Sequence, residues 1–254
     1  MKGYIYEGLG NSFLITEGID TGNINQIVIR NCLKHQLDGL INYDKTNNKM
    51  EIYNKDGSKA LMCGNGIRCL ANYLYTKYKF PDEFEINTDS GVKIVKISNE
   101  NPFECQISLG RPRLVKELNN LKKITIDGKD IHFNSIYIST FHIVIIVESI
   151  YDLNLDYLAP KIYKYPLFQE KCNITFCQLV NHNTIKTRTY ERGVGFTLSC
   201  GTGAAAGGYI SYLLYNLSNK ITVIQPLGNI QVIISNNIEI KGPSNFIKEV
   251  EVDV

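Results

Sequence analysis

Two short segments carry the same chemistry-bearing pattern. Cys63-Gly64-Asn65-Gly66 lies in "LMCGNGIRCLANYLY", and Cys200-Gly201-Thr202-Gly203 lies in "LSCGTGAAAGGYISYLLY". The two cysteines are 137 residues apart (200 − 63) in a chain of 254. Each stands just ahead of a helix-like pattern. A helix N-terminus leaves backbone N–H groups unpaired and carries roughly half a positive charge. It therefore receives a carboxylate, and the same field favours a thiolate over a thiol. The glycines permit a tight turn and close approach of a ligand to the backbone. Each copy reads as a carboxylate cradle beside an activated cysteine.

Two copies related by a pseudo-twofold axis can address one ligand from opposite sides. Inversion of a carbon that carries a hydrogen needs that arrangement: one group removes a proton from one face and a second delivers a proton to the other. The reaction runs both ways, so two groups of one type suit it. Helix N-termini on the α-carboxylate would also stabilise the enolate-like charge that develops there. The expected chemistry is racemisation or epimerisation of an amino acid by two cysteines, with no organic cofactor. A single Cys-Gly at a helix start is more often buried structure; the matched pair reverses that weighting. A phosphate-binding pair would lack the usual Gly-x-x-x-x-Gly-Lys run. A disulfide oxidoreductase would need Cys-x-x-Cys, which does not occur.

The elements around these motifs read as mostly strands. "KGYIYEGLG" and "SFLITEG" form two strands around a Gly-rich turn. "NQIVIRNCLKHQL" reads as a helix with Ile27, Ile29, Cys32 and Leu33 apolar. "DGLINYD" and "KMEIYN" pair across "KTNN". The helix after Cys63 runs to about Tyr78, with Ile67, Leu70, Ala71, Leu74, Tyr75 and Tyr78 at helical spacing and Pro81 beyond it. "FEINTD", "VKIVKIS" and "FECQISLG" alternate as strands. "GRPRLVKELNNLKK" breaks the pattern at Gly110 and Pro112, which places a domain boundary there. Beyond it, "KITIDG", "KDIHFNSIYIS" and "HIVIIVE" read as strands, and "LNLDYLAPKIYKY" as a helix interrupted by Pro160. "NITFCQLV" and "TIKTRTYE" are strands. The helix after Cys200 should put Ala205, Gly208, Tyr209, Tyr212 and Leu213 on one face. "KITVIQ", "GNIQVIIS" and "IEIKG" follow, and the alternating tail "KEVEVDV" can return to the first half. The expectation is a duplicated α+β unit, with halves at residues 1–112 (joined by the tail, about 243–254) and 113–242.

Composition sets bounds. With 44% hydrophobic residues the chain can bury a full core. The net charge of +2, without a run of basic residues, argues against nucleic acid or an anionic membrane as partner. No stretch approaches the length of a membrane span. The N-terminus lacks the pattern of a secretory signal, so a cytoplasmic location is expected. Seven cysteines, odd in number and irregularly spaced, argue against a disulfide framework. Cys172 and Cys177 have no matching second pair, so no zinc site is expected.

Four segments together resemble the diaminopimelate epimerase family. "GLGNSF" at 8–13 is similar to the family's Gly-Leu-Gly-Asn-Asp-Phe. "NKDGSKALMCGNGIRC" at 54–69 is similar to its Asn-x-Asp-Gly-Ser…Met-Cys-Gly-Asn-Gly-x-Arg-Cys. "NITF" at 173–176 and "YERGVGFTLSCGTGAAA" at 190–206 match its Asn-Val-x-Phe and Glu-Arg-Gly-x-Gly-Glu-Thr…Cys-Gly-(Ser/Thr)-Gly. The resemblance covers nearly the whole chain. It implies two pseudo-symmetric α/β domains with substrate in the cleft between them, a small-molecule amino-acid substrate and a homodimer. The implied activity is interconversion of LL- and meso-diaminopimelate, a step toward lysine and peptidoglycan precursors. Cys63 and Cys200 fall on the two acid/base cysteines, and His142 and Glu191 on positions that assist the thiols; which assists which stays open. Asn11, Asn54, Asn173 and Arg192 fall on positions that hold the substrate's polar groups, Arg192 by gripping a distal carboxylate. The backbone N–H groups of Gly64, Asn65, Gly201 and Thr202 would hold the α-carboxylate.

Three positions depart from the family. Thr140 stands for an asparagine that contacts substrate, Phe196 for the glutamate of Gly-Glu-Thr, and Ser12 for an aspartate. Thr140 and Phe196 are expected to shape the distal half of the site. A racemase of another amino acid, or a non-catalytic amino-acid-binding protein on the same scaffold, are the alternatives.

Overall fold

A computed structural model of the chain describes residues 1–115, 122–168 and 172–254. The chain divides into two compact units, residues 1–108 with 241–254, and residues 109–240. The basic stretch expected around the boundary falls partly on residues 116–121, which lie outside the described residues.

The first unit opens with an antiparallel hairpin, β1 (Lys2–Gly8) and β2 (Asn11–Glu17). Helix α1 (Ile24–His35) then crosses over, and β3 (Gly39–Asp44) runs parallel to β2. Ile24, Ile27, Val28 and Cys32 form the buried side of α1. Ile29 and Leu33, apolar like these, are exposed: positions 24, 27, 28 and 32 make the tighter 3–4 stripe, and the other two lie off it. Strand β4 (Lys49–Asn54) pairs antiparallel with β3, and β5 (Lys59–Ala60) with β4. Helix α2 (Gly64–Tyr78) follows Cys63. It is buried all round from Gly64 to Leu74, polar Asn65, Arg68 and Asn72 included. Strands β6 (Glu83–Ile86), β7 (Lys93–Glu100) and β8 (Phe103–Gly110) form an antiparallel set, and the chain leaves the unit inside β8.

The second unit repeats the order. Short β9 (Arg113–Leu114) and the separate hairpin β10 (Lys123–Ile126) and β11 (Lys129–His132) come first. Strands β12 (Asn134–Ile138) and β13 (Thr140–Ile146) form an antiparallel pair. The single strand expected over "KDIHFNSIYIS" is thus two strands in different sheets, because Phe133 turns into the core between them. Helix α3 (Asn154–Tyr163) crosses over to β14 (Asn173–Asn181), which runs parallel to β13. Pro160 does not interrupt α3 as expected. Leu155, Ala159 and Ile162 bury one side across it, and the helix ends within a turn. Strands β15 (Thr184–Glu191) and β16 (Gly195–Thr197) continue antiparallel from β14. Helix α4 (Gly201–Tyr215) is buried throughout its first two turns, so no face stands out there. Farther on, Ile210 and Ser211 are buried while Leu213 is exposed, against the face expected from the sequence. Strands β17 (Lys220–Gln225), β18 (Gly228–Ile234) and β19 (Ile238–Pro243) follow, β17 parallel to β15. The last strand, β20 (Asn245–Glu251), pairs antiparallel with β1 in the first unit.

The repeat is one of topology. Each unit has an antiparallel pair, a helical crossover to a parallel strand, an antiparallel return, a two- or three-residue strand, then the cysteine-led helix. The helices after Cys63 and Cys200 are both 15 residues long.

Candidate active site

Cys63 and Cys200 cap their helices with nearly the same backbone: φ −140° and ψ 119° at Cys63, φ −137° and ψ 110° at Cys200. Both carbonyls accept the first helical N–H at 2.9 Å, from Ile67 and from Ala204. The second glycine of each motif faces the sheet beneath. A Cβ at Gly66 would meet Ile52 Cδ1 at 2.8 Å, and one at Gly203 would meet Thr189 Oγ1 at 2.2 Å. These glycines let each helix sit close enough to the sheet to fix its N-terminus. All seven cysteines are thiols.

In the first unit, Asn11 begins β2 and meets the second residue of α2: Asn65 Nδ2 donates to Asn11 Oδ1 at 2.5 Å. Arg68 Nη2 donates to Asn65 Oδ1 at 2.7 Å. Asn54 ends β4 and is exposed; its side chain donates to Ser58 Oγ at 3.0 Å within the turn that follows. Gly64 is the first residue of α2. The departure at Ser12 is answered locally. Asp38 Oδ2 accepts the Ser12 N–H at 2.9 Å and its hydroxyl at 3.4 Å, so a carboxylate stands beside the position.

In the second unit, Thr140 begins β13, as Asn11 begins β2. Its hydroxyl lies 3.0 Å from His142 Nε2, 3.4 Å from Thr202 Oγ1 and 3.3 Å from Asn173 Nδ2. His142 is fully buried, with Nε2 3.0 Å from Thr202 Oγ1 and Nδ1 3.0 Å from Thr175 Oγ1. Burial pushes its pKa down to about 3, so the imidazole is neutral. Asn173 Oδ1 accepts the Arg192 N–H at 2.9 Å, while Arg192 itself is exposed. Cys200 Sγ accepts from Gly203 N–H at 3.4 Å and lies 3.5 Å from Thr202 Oγ1.

Glu191 also faces Cys200, and Thr197 donates to its Oε1 at 2.6 Å. Burial raises the Glu191 carboxyl above its ordinary range. Burial also raises the Cys200 thiol well above its ordinary range, and the charge of Glu191 adds to that. The expectation that the helix field alone would activate this cysteine is therefore corrected. Desolvation and a neighbouring carboxylate outweigh the dipole, and Cys200 holds its proton.

Phe196 turns away from this group. It packs with Phe176 and Tyr190, and Arg188 stacks on its ring at 3.8 Å while pairing with Asp156 of α3 at 2.7 Å. It belongs to the core cluster on the α3 side of the sheet. Its ring contacts are with that cluster.

Several supporting residues escaped the sequence reading. Thr175 and Thr189 lie 3.3 Å apart under α4. Gln225 Nε2 donates to Cys200 O at 3.0 Å and to Thr187 Oγ1 at 3.2 Å, and its Oε1 accepts from Ser199. The signal was present in "TIKTRTYE": Thr187, Thr189 and Glu191 recur at a period of two, on one face of β15.

The diaminopimelate epimerase family model matches residues 3–115 and 135–246, covering both cysteine motifs. The chain belongs to the diaminopimelate epimerase family. Among relatives, the diaminopimelate epimerase of Pelagibacter ubique is 34% identical, over 99% of this chain and 98% of its own. That of Caldanaerobacter subterraneus is 32% identical, over 85% of each. Solved structures share the fold at low identity. A hydroxyproline epimerase from Agrobacterium vitis superposes with a TM-score of 0.74 at 12% identity, covering 99% of this chain and 92% of that one. A phenazine biosynthesis protein of the PhzF family from Bacillus anthracis gives 0.73 at 14%, over 100% and 99%. This diaminopimelate epimerase family member is thus an isomerase by kinship. Among the described residues no helix is long and apolar enough to cross a membrane.

Proposed function

We propose that this protein interconverts LL- and meso-diaminopimelate, with Cys63 and Cys200 as the two acid/base groups on opposite faces of one α-carbon. The observation that carries the reading is the repeated cysteine cap: two helices with the same cap geometry, in a chain of this family. In one direction the Cys63 thiolate takes the α-proton and the Cys200 thiol gives its own to the other face. The reverse direction exchanges the roles. Glu191 receives the Cys200 proton when that thiol must act as base. His142, neutral and bonded to Thr202, holds the residue beside Cys200 in place. N–H groups of Gly64, Asn65, Gly201 and Thr202 hold the α-carboxylate as negative charge builds on it. Asn11, Asn54, Asn173 and Arg192 hold the remaining polar groups.

A racemase of another amino acid is the second reading, and Thr140 favours it, because its hydroxyl stands among the site residues where the family has an asparagine. A homodimer is part of the first reading, supported by the exposed Phe246 and Ile247 on edge strand β20 and checked by sedimentation. Reduced enzyme with LL-diaminopimelate in deuterated water should place deuterium at the α-carbon. Cys63→Ala and Cys200→Ala should each abolish epimerisation. Exchange with a different amino acid and none with diaminopimelate would transfer the case to the second reading.

A further inference from the structure

Arg68 is fully buried, the largest fully buried side chain among the described residues, yet its hydrogen bonds go to neutral groups. Nε donates to Pro243 O at 3.1 Å, Nη2 donates to Asn65 Oδ1 at 2.7 Å, and Nη1 meets no hydrogen-bond partner among the described residues. A buried guanidinium without a carboxylate is costly. A neutral residue would fill the space with less penalty, so what the guanidinium does there calls for a reason.

The reason lies in the direction of the hydrogen bonds. A guanidinium only donates. Asn65 must turn Oδ1 toward it, which leaves Nδ2 on the far side of the amide. There Nδ2 donates to Asn11 Oδ1 at 2.5 Å. Asn11 has then committed its acceptor inward, and its own NH2 is left for the open side of a half-buried position. The offset between the motifs places Thr202 where the first unit has Asn65, and Ala205 where it has Arg68. Thr202 meets His142 instead, and a neutral imidazole nitrogen can donate or accept. Only the first unit fixes the polarity of its pair.

We propose that Arg68 is a positioning residue: by setting the amide orientation of Asn65, and through it that of Asn11, it makes Asn11 a hydrogen-bond donor to a carboxylate of the substrate. This rests on the reading of Asn11 as a substrate-binding residue. The test is a double-mutant cycle on KM. Arg68→Lys keeps the charge but not the planar fork that spans Pro243 O and Asn65 Oδ1. It should raise KM about tenfold while kcat changes less than about threefold, and Asn11→Ala should do the same. The double variant should show about the same tenfold rise, because both changes remove one interaction. Independent effects that multiply to about a hundredfold, or a wild-type KM in Arg68→Lys, would overturn the proposal.

Asn65→Asp supplies the answer should Arg68→Lys not fold. An aspartate keeps a partner for Arg68 but cannot donate to Asn11. It should raise KM in the wild-type background and leave it unchanged in the Asn11→Ala background. A rise that persists in the Asn11→Ala background would reflect charge repulsion and overturn the idea. Wild-type turnover is established first. Whichever amino acid the wild type turns over serves as substrate for the cycle, so a different substrate displaces the functional reading and leaves this one testable.

Discussion

Gly203→Ala is the sharpest perturbation the structure offers. The new Cβ would lie 2.2 Å from Thr189 Oγ1 and 3.2 Å from both Thr175 Oγ1 and Thr189 Cβ. Ordinary contact begins near 3.4 Å, so unless Thr189 turns, α4 and β15 must separate by about 1.2 Å at this point. Rotation of Thr189 about χ1 would move Oγ1 aside, but its Cβ stays close and its 3.3 Å contact with Thr175 is lost. Overpacking of this kind costs about 1–3 kcal/mol, a fall in Tm of roughly 2–4 °C per kcal/mol in a chain of this size. Catalysis should suffer more. Cys200 caps the same helix, and its sulfur accepts the N–H of Gly203 itself. A shift of about 1 Å between thiol and Glu191 costs on the order of a hundredfold in rate.

The assay pairs a thermal melt with kcat for epimerisation. Gly208→Ala is the control, because its Cβ would press on Val232 of β18 at 3.2 Å, about two turns from the cysteine. It should lower Tm and leave most of kcat. Adding Thr189→Ala to Gly203→Ala removes the nearest atom and should restore part of the lost Tm. A Gly203→Ala enzyme with full kcat, whatever its Tm, would refute the claim that this glycine sets the position of the thiol.

Two further outcomes follow from local electrostatics. The His142 pKa is depressed to about 3 in the fold, so its contribution to stability is present above its ordinary value of 6.5 and is lost as pH falls from there toward 3. That contribution has a ceiling on the order of 5 kcal/mol; His142→Gln should flatten the stability profile between pH 6.5 and 3, read as urea midpoints, and an unchanged slope would count against it. Ser12→Asp restores the family's residue but sets a second carboxylate against Asp38, which already accepts both Ser12 donors. It should cost about 1 kcal/mol at pH 7, where two like charges would meet; equal urea midpoints for variant and wild type at pH 7 would rule this out.

The cysteine caps were legible because a helix start has a local signature, and repetition at a fixed offset made it specific. Strand order was legible for the same reason: alternation survives wherever one face of a sheet is buried. What failed lay where burial has no periodicity. Helix α4 is enclosed on every side for two turns, so spacing could not say which residues of its last turns face out. The packing of Phe196 was not legible, because identity at a motif position says nothing of which face of a strand it occupies. Counting by twos from Glu191 back through Thr189 and Thr187, and pairing Tyr190 with Phe196 across β16, would have put the ring on the α3 side. Arg68 was read only as part of a motif. Its burial rests on a contact with Pro243 O, 175 residues away, and no local pattern carries that.

The two units repeat a backbone and not a chemistry. The cap angles and helix lengths coincide, which is what the proposed delivery of a thiol to either face of one carbon would demand. The surroundings diverge at equivalent positions. Where one unit has Asn54 at the end of its fourth strand, the other has Glu191; where one has the Asn11–Asn65 pair polarised by Arg68, the other has Thr140 and Thr202 around a neutral imidazole. A substrate whose carboxylates lie on different sides of the reacting carbon has no symmetry to match a symmetric site. Duplication can supply the two bases, but recognition of such a substrate requires the copies to differ, and the differences fall on the residues that flank the thiols rather than on the helices that carry them.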